Sequence, residues 1–218
     1  MPTVHLYTAR AVPFPEDPRI RALLSADRLA AAERYRNAQA QACALTADLL
    51  LRCAVQAAQP EAALPLHRAA GPYGKPFLPA LPGFEFSLSH SGGWVICAVS
   101  DTPVGADLEL PRPMRAGFAA RFCTPEEQIL LRRRPDWFCD LWMCKEAVMK
   151  CSGFGLSLSP RDIPLSGFPA PRLTAPVRGV RYALKLTALP GGLRCAVCVS
   201  GDAAPTVRVH PLETDSLL

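Results

Sequence analysis

No apolar run in this 218-residue chain reaches the ~20 residues that a membrane-spanning helix needs, which excludes an integral helical membrane protein as the expected class. Its first ten residues, MPTVHLYTAR, lack the basic start and apolar stretch of a secretory signal, so the expected compartment is the cytoplasm. Low-complexity segments are missing as well. Positive charge is only slightly in excess, 24 Lys and Arg against 19 Asp and Glu, giving +5. That is far from the basic stripe of a nucleic-acid binder, yet it suits an acidic or phosphorylated partner. No GxSxG elbow is present, and adjacent Ser89 and His90 on a strand would project to opposite faces, which argues against a serine hydrolase. With half of its residues apolar and 20% charged, the chain falls among ordinary globular proteins.

The nine cysteines are an odd number and sit inside apolar segments, as Cys97 does in WVICAV. Cys195 and Cys198 have the CxxC spacing of metal ligands. On a strand, however, side chains three apart point to opposite faces, so the expectation is buried reduced thiols rather than an ion.

The length is long for one compact core and short for two unrelated domains. A short edge strand is expected over 4–9, and a helical stretch with a break over about 22–58, ended by Pro60 and Pro65. The turn GPYGKP at 71–76 then precedes three strands, FEFSLSH, WVICAVS and VGADLEL. Helices follow around 114–134 and 137–152, and two strands joined by PGG, RYALKLTAL and LRCAVCVS, come last. The second half thus echoes the first. The predicted class is α+β, with lobes 1–103 and 104–218, each packing helices on a small antiparallel sheet. Nothing readable follows Gly201.

Four segments carry polar residues that bear on chemistry. In VGADLEL, Val104, Ala106 and Leu108 alternate with Asp107 and Glu109, which places both carboxylates on one face, ~6.6 Å apart along the backbone. Carboxylates that close repel unless a positive charge lies between them, and oxygen-only ligands favour a hard cation, Mg²⁺ before Ca²⁺. The same DxE pattern also describes an ordinary solvated face. In WFCDLWMCKEAVMKCSGFGL, the apolar stripe of a helix contains Phe138, Leu141, Trp142, Val148 and Met149. Lys145 falls in the middle of that stripe, with Glu146 beside Trp142 and Lys150 one turn on. Charges there must be paired or must face a site, which suggests a third metal carboxylate and one or two phosphate-binding lysines. In FSLSHSGGW, Ser89, His90 and the backbone N–H groups of the turn can cradle a phosphate, although a histidine at a strand end also serves as a structural hydrogen-bonder. Lys75 in YGKP, taken alone, reads as a loop lysine.

Together, in this order and spacing, GKP, the strand ending SHS, VGxDxE and WxxKEAxxKxxGxGL resemble the 4′-phosphopantetheinyl transferases of the two-lobed, surfactin-synthetase-activating type. The resemblance is close over about 71–160. It implies a pseudo-two-fold α+β fold with the active site between the lobes. It further implies Mg²⁺ held by Asp107, Glu109 and Glu146, coenzyme A as co-substrate, and an acyl or peptidyl carrier protein as the acceptor. Glu146 would also serve as, or help activate, the base that deprotonates the carrier serine, Lys150 would neutralise pyrophosphate charge, and Lys75, Ser89 and His90 would contact coenzyme A phosphates. Members of this family usually place an arginine inside the second helix for the 3′-phosphate, where this chain has Cys43. Arg28, Arg34, Arg36 or Arg68 are the substitutes considered, Arg68 foremost. For the carrier, Arg112, Arg115, Arg132, Arg133 and Arg134 would supply the complementary field, and a monomer is expected. The related trimeric holo-acyl-carrier-protein synthases share the D/E and KEA elements but are much shorter.

Overall fold

The protein is described by a computed structural model covering residues 1–11, 18–113 and 117–217. Two four-stranded sheets lie back to back, and helices cover their outer faces. The first sheet has the order β10-β1-β5-β4, built from β1 (Thr3–Arg10), β4 (Glu85–Ser91), β5 (Trp94–Ser100) and β10 (Thr206–Pro211). The second has the order β6-β9-β8-β7, from β6 (Val104–Glu109), β7 (Arg172–Val177), β8 (Val180–Ala188) and β9 (Arg194–Ser200). A two-residue hairpin, β2 (Ala69–Ala70) with β3 (Pro76–Phe77), frames the GPYGKP turn.

The side-chain alternation explains the layers. Val4, Leu6, Ile96 and Ala98 point from the first sheet into a core shared with Val104, Ala106, Leu108, Val197 and Val199 of the second. Tyr7, Ala9, Val95, Cys97 and Val99 point the other way, against α3 (Ala38–Ala58), α1 (Pro18–Leu23) and α2 (Ala26–Glu33). Beyond the second sheet, Ala196, Cys198, Tyr182 and Leu184 pack on Met143, Ala147 and Val148 of α6 (Phe138–Ser152). WVICAVS has no polar face because both of its faces are buried. Cys195 enters the core between the sheets while Cys198 enters the core under α6, so the CxxC pair cannot share an ion. All nine cysteines are free thiols. Among the described residues, no helix is long and apolar enough to cross a membrane.

The expected helical stretch is three helices: α2 follows Ser25, and α3 starts at Asn37, whose side chain accepts from the Ala40 N–H at 3.0 Å. The expected helix near 114–134 is two, α4 (Phe118–Phe122) and α5 (Pro125–Arg133), the latter closed by a Thr124–Glu127 capping box. Its expected start at 114, and Arg115, fall outside the described residues.

Two strands of the four-stranded sheets were invisible in the sequence. β7 carries Pro176, which suits only an edge strand, and it forms the outer edge of the second sheet. β10 is mostly exposed and joins β1 in parallel, with Thr3 to Thr8 opposite Thr206 to Pro211. The first sheet is therefore not wholly antiparallel. Residues 206–211, grouped by sequence with the second lobe, belong to it.

A pair of histidines fastens that last strand. His5 Nδ1 and His210 Nε2 are 2.9 Å apart with stacked rings, and the Tyr7 ring stacks on His210 at 4.8 Å. One nitrogen must donate and the other accept, so a second proton breaks the contact. Burial, then the charges of His210 and Arg208, hold the His5 pKa below its ordinary value. The folded state therefore binds fewer protons than the unfolded chain. The stability from this site is full above the ordinary histidine pKa and is lost as pH falls through it towards the lowered folded value. The urea midpoint is expected to be lower at about pH 5.5 than at about pH 7.5, with a flatter dependence in His5→Gln, which removes the titrating ring. An equal slope in that variant would place the titration elsewhere.

Candidate active site

The site forms where α6 lies directly on β6, at a seam between the two sheets. Gly105 permits this approach. A Cβ at that position would stand 2.0 Å from the Ala147 carbonyl oxygen and 2.4 Å from the Cys151 nitrogen, both backbone atoms of α6. Asp107 and Glu109 share the Gly105 face and so meet α6, while Val104, Ala106 and Leu108 fill the core behind, as the alternation predicts. The helix ends at Gly153 in the left-handed conformation (φ 74°).

Asp107 is the centre of the polar network. Its Oδ1 receives the Lys150 ammonium at 2.6 Å and the Ser89 hydroxyl at 2.7 Å. Lys150 also donates to Ser89 Oγ at 3.1 Å and to the Ala106 carbonyl at 3.3 Å. Glu109 accepts from Ser91 Oγ at 3.0 Å and pairs with Arg112 at 3.3 Å. Glu146, one helical turn before Lys150, is half-buried. Burial raises its carboxyl pKa, and the negative charges of Asp107 and Glu109 raise it further, against the opposing pull of Lys150. The three carboxylates are thus in electrostatic reach of one another. Among the described residues they do not converge into a closed cage for a metal. Their chemistry, three hard oxygen donors whose mutual repulsion a cation would relieve, fits a divalent ion of the Mg²⁺ type.

Two cavities flank this network. The larger, of about 700 Å³, is lined by Arg10, Asn37, Gln39, Cys43, His90 and Gly93 among others. The smaller, of about 190 Å³, is mainly apolar and lies among Tyr73, Lys75, Phe86, Leu88, Met149 and Lys150. His90 therefore sits on the wall of the first cavity. Its imidazole pKa is lowered by packing and then by the Lys150 charge, so the ring is largely neutral near neutral pH.

Other residues expected at the site are placed differently. Lys75 is braced internally, with Nζ 3.0 Å from Glu85 Oε2 and donating to the carbonyls of Val104 and Cys151 at 3.4 Å each. Its stem lines only the smaller cavity. Arg68 is largely covered and pairs with the buried Asp48 (2.7 Å), which Arg28 joins at 3.0 Å. Neither arginine lines the larger cavity, and Arg34 and Arg36 are simply exposed. Lys145, read from the stripe as a candidate phosphate ligand, is fully buried and faces away from the site. Of the carrier candidates, Arg132 and Arg133 are exposed. Arg134 pairs with Asp136 and stacks over Trp137, and Arg112 is engaged by Glu109.

Arg10 was missed. It ends β1, donates to the Gly92 carbonyl at 3.4 Å and lies over the Trp94 ring at 4.8 Å, so it is the one full cation on the described wall of the larger cavity. No local signal marks it, because the contact depends on the pairing of Arg10 with Trp94 across strands.

Residues 103–198 match the model of the 4′-phosphopantetheinyl transferase superfamily. The chain is 34% identical over 158 residues to a 4′-phosphopantetheinyl transferase of Bacillus subtilis, covering 70% of each protein. It is 33% identical over 196 residues to the 4′-phosphopantetheinyl transferase psf-1 of Bacillus pumilus, covering 85% of this chain and 83% of that one. Against the 4′-phosphopantetheinyl transferase Sfp of Bacillus subtilis the identity is 31% over 158 residues, again 70% of each.

Proposed function

Because the chain belongs to the 4′-phosphopantetheinyl transferase superfamily, we propose that it is a magnesium-dependent enzyme that moves phosphopantetheine from coenzyme A to a serine of an acyl or peptidyl carrier protein, releasing 3′,5′-ADP. Phosphopantetheinyl transfer is the activity of its relatives. One observation carries the assignment of the site: Lys150 on Asp107 at 2.6 Å, one helical turn from the half-buried Glu146.

In this reading Asp107, Glu109 and Glu146 hold Mg²⁺. The bound ion supplies Lewis-acid stabilisation of the pyrophosphate charge. Glu146 takes the proton of the carrier serine, whose hydroxyl is otherwise a poor nucleophile. The serine oxygen attacks the phosphorus that bears pantetheine, and the bond to the 3′,5′-ADP oxygen breaks in line. Lys150 stays within reach of the leaving charge. The larger cavity, with neutral amides and Arg10 on its wall, suits the nucleotide end of coenzyme A, with His90 beside its phosphates. The smaller apolar cavity suits the pantetheine arm. In this reading each lobe is built round one of the two sheets and the lobes would meet here; the strand order, which puts β10 in the first sheet, supports assigning residues 206–211 to the first lobe. Exposed Arg132 and Arg133 are the basic residues offered to an acidic carrier. A cytoplasmic monomer remains the expected form.

Intact-protein mass spectrometry of an apo carrier incubated with this protein, coenzyme A and Mg²⁺ tests the reading. One added phosphopantetheine is expected, and EDTA should abolish it. No mass gain on either an acyl or a peptidyl carrier, with coenzyme A still bound, would point to a binder without turnover.

A further inference from the structure

The strands β4 and β6 run side by side as the facing edges of two different sheets, and no backbone ladder joins them. An edge strand left this way exposes a row of N–H groups that must find acceptors. Here three hydroxyls spaced two residues apart on β4 take them. Ser87 Oγ accepts from Ala106 N at 2.9 Å, Ser89 Oγ from Leu108 N at 3.4 Å and Ser91 Oγ from Leu110 N at 3.2 Å. The SLSHS spacing puts all three serines on the face opposite Phe86 and Leu88.

A hydroxyl that accepts one hydrogen bond still has a proton to give, and the three serines give theirs differently. Ser87 donates to the Ala106 carbonyl at 3.5 Å, which closes a contact between backbone and side chain only. Ser89 donates to Asp107, and Ser91 donates to Glu109 Oε2 at 3.0 Å. Ser91 is therefore fixed by the Leu110 backbone and aims its proton at the carboxylate one residue earlier. Gly92 protects this arrangement, because a Cβ there would stand 1.8 Å from Leu110 Cδ1. The other Glu109 partner, Arg112, is exposed and longer, a weaker constraint on the carboxylate.

We propose that Ser91 is a positioning residue for the reaction: from the first sheet it fixes the rotamer of Glu109 on the second, so that alignment of the two sheets sets the cation-binding geometry. This rests on the reading of Asp107, Glu109 and Glu146 as metal ligands. A group that orients a metal ligand typically contributes about 10–100-fold to metal affinity.

Mn²⁺ serves as the probe, with free ion counted by electron paramagnetic resonance during titration of the wild-type protein and four variants. Ser91→Ala is expected to weaken Mn²⁺ binding by about 10-fold or more, and Ser91→Thr, which keeps the hydroxyl, to restore it. Ser87→Ala, which removes a seam hydroxyl with no carboxylate partner, is expected to lower the unfolding midpoint while Mn²⁺ affinity holds. Ser91→Val against Ser91→Thr repeats the comparison at equal bulk should the alanine variant not fold. Unchanged affinity in Ser91→Ala, beside a wild type that binds, overturns the positioning role and leaves the metal reading standing. Equal weakening by Ser87→Ala also overturns it, since the seam as a whole would then be responsible. A wild-type protein that binds no Mn²⁺ overturns the metal reading, and this role with it.

Discussion

Replacing Glu146 by Gln is expected to lower turnover by about 10²–10⁴-fold, the range general-base catalysis contributes, with little change in the coenzyme A KM. The unfolding midpoint should stay at or above that of the wild type. Both halves follow from the same surroundings. Glu146 is half-buried, and burial together with Asp107 and Glu109 pushes its carboxyl pKa up, so the charged form is disfavoured in the folded protein. A neutral amide of the same shape removes that unfavourable charge, which is why stability should not suffer. The amide keeps one oxygen that can face a cation but cannot take the serine proton, so kcat falls while binding persists. Steady-state kinetics on an apo carrier, alongside urea denaturation, reads both quantities. Full turnover in Glu146→Gln would end the assignment of Glu146 as base. A large loss of turnover accompanied by a fall in the midpoint would mean that the side chain supports the fold instead.

Much of this site was legible in the sequence because its parts are local. The alternation in VGADLEL put Asp107 and Glu109 on one face, and the helical period of the KEAVMK segment put Glu146 and Lys150 a turn apart. Both follow from backbone geometry alone. That the two segments meet was legible only through resemblance. Its physical cause is Gly105, whose missing side chain lets α6 settle on β6. In the same strand only Ser89, His90 and the backbone N–H groups of the following turn were read, as a phosphate cradle, and the serine period through Ser87 and Ser91 was not. Its use as a ladder depends on which edges face each other, and no strand carries that information by itself. Arg68 and Arg28 were candidates for the nucleotide because a sequence does not reveal that Asp48 takes both. β10 escaped notice for the same reason: an exposed strand paired in parallel across some two hundred residues has no hairpin turn and little apolar alternation to announce it.

Lys145 is the clearest case of a correct pattern with a different cause. Its place in the middle of an apolar stripe required a partner or a site, and the structure supplies partners. The ammonium is fully buried, 2.8 Å from Glu127 Oε2, and donates to the carbonyls of Pro160 at 2.7 Å and Ile163 at 2.9 Å. Three donors meet three acceptors, which ties α6 to α5 and to the 160–163 turn. Glu127 also accepts from the Thr124 N–H at 2.8 Å to cap α5, while its Oε1 is buried with no hydrogen-bond partner. The lysine charge is thus what balances a buried carboxylate. Lys145→Met is expected to cost about 3–5 kcal/mol, because it leaves the buried Glu127 carboxylate without its cation and the Ile163 carbonyl without its donor. Adding Glu127→Gln should recover part of the loss, since the charge left behind goes too and only the hydrogen bonds remain broken. Urea denaturation of the two single variants and the double variant measures the coupling. A loss below about 1 kcal/mol for Lys145→Met, the scale of an exposed pair, joined to a raised coenzyme A KM, would return Lys145 to the phosphate-binding role that its sequence position first suggested.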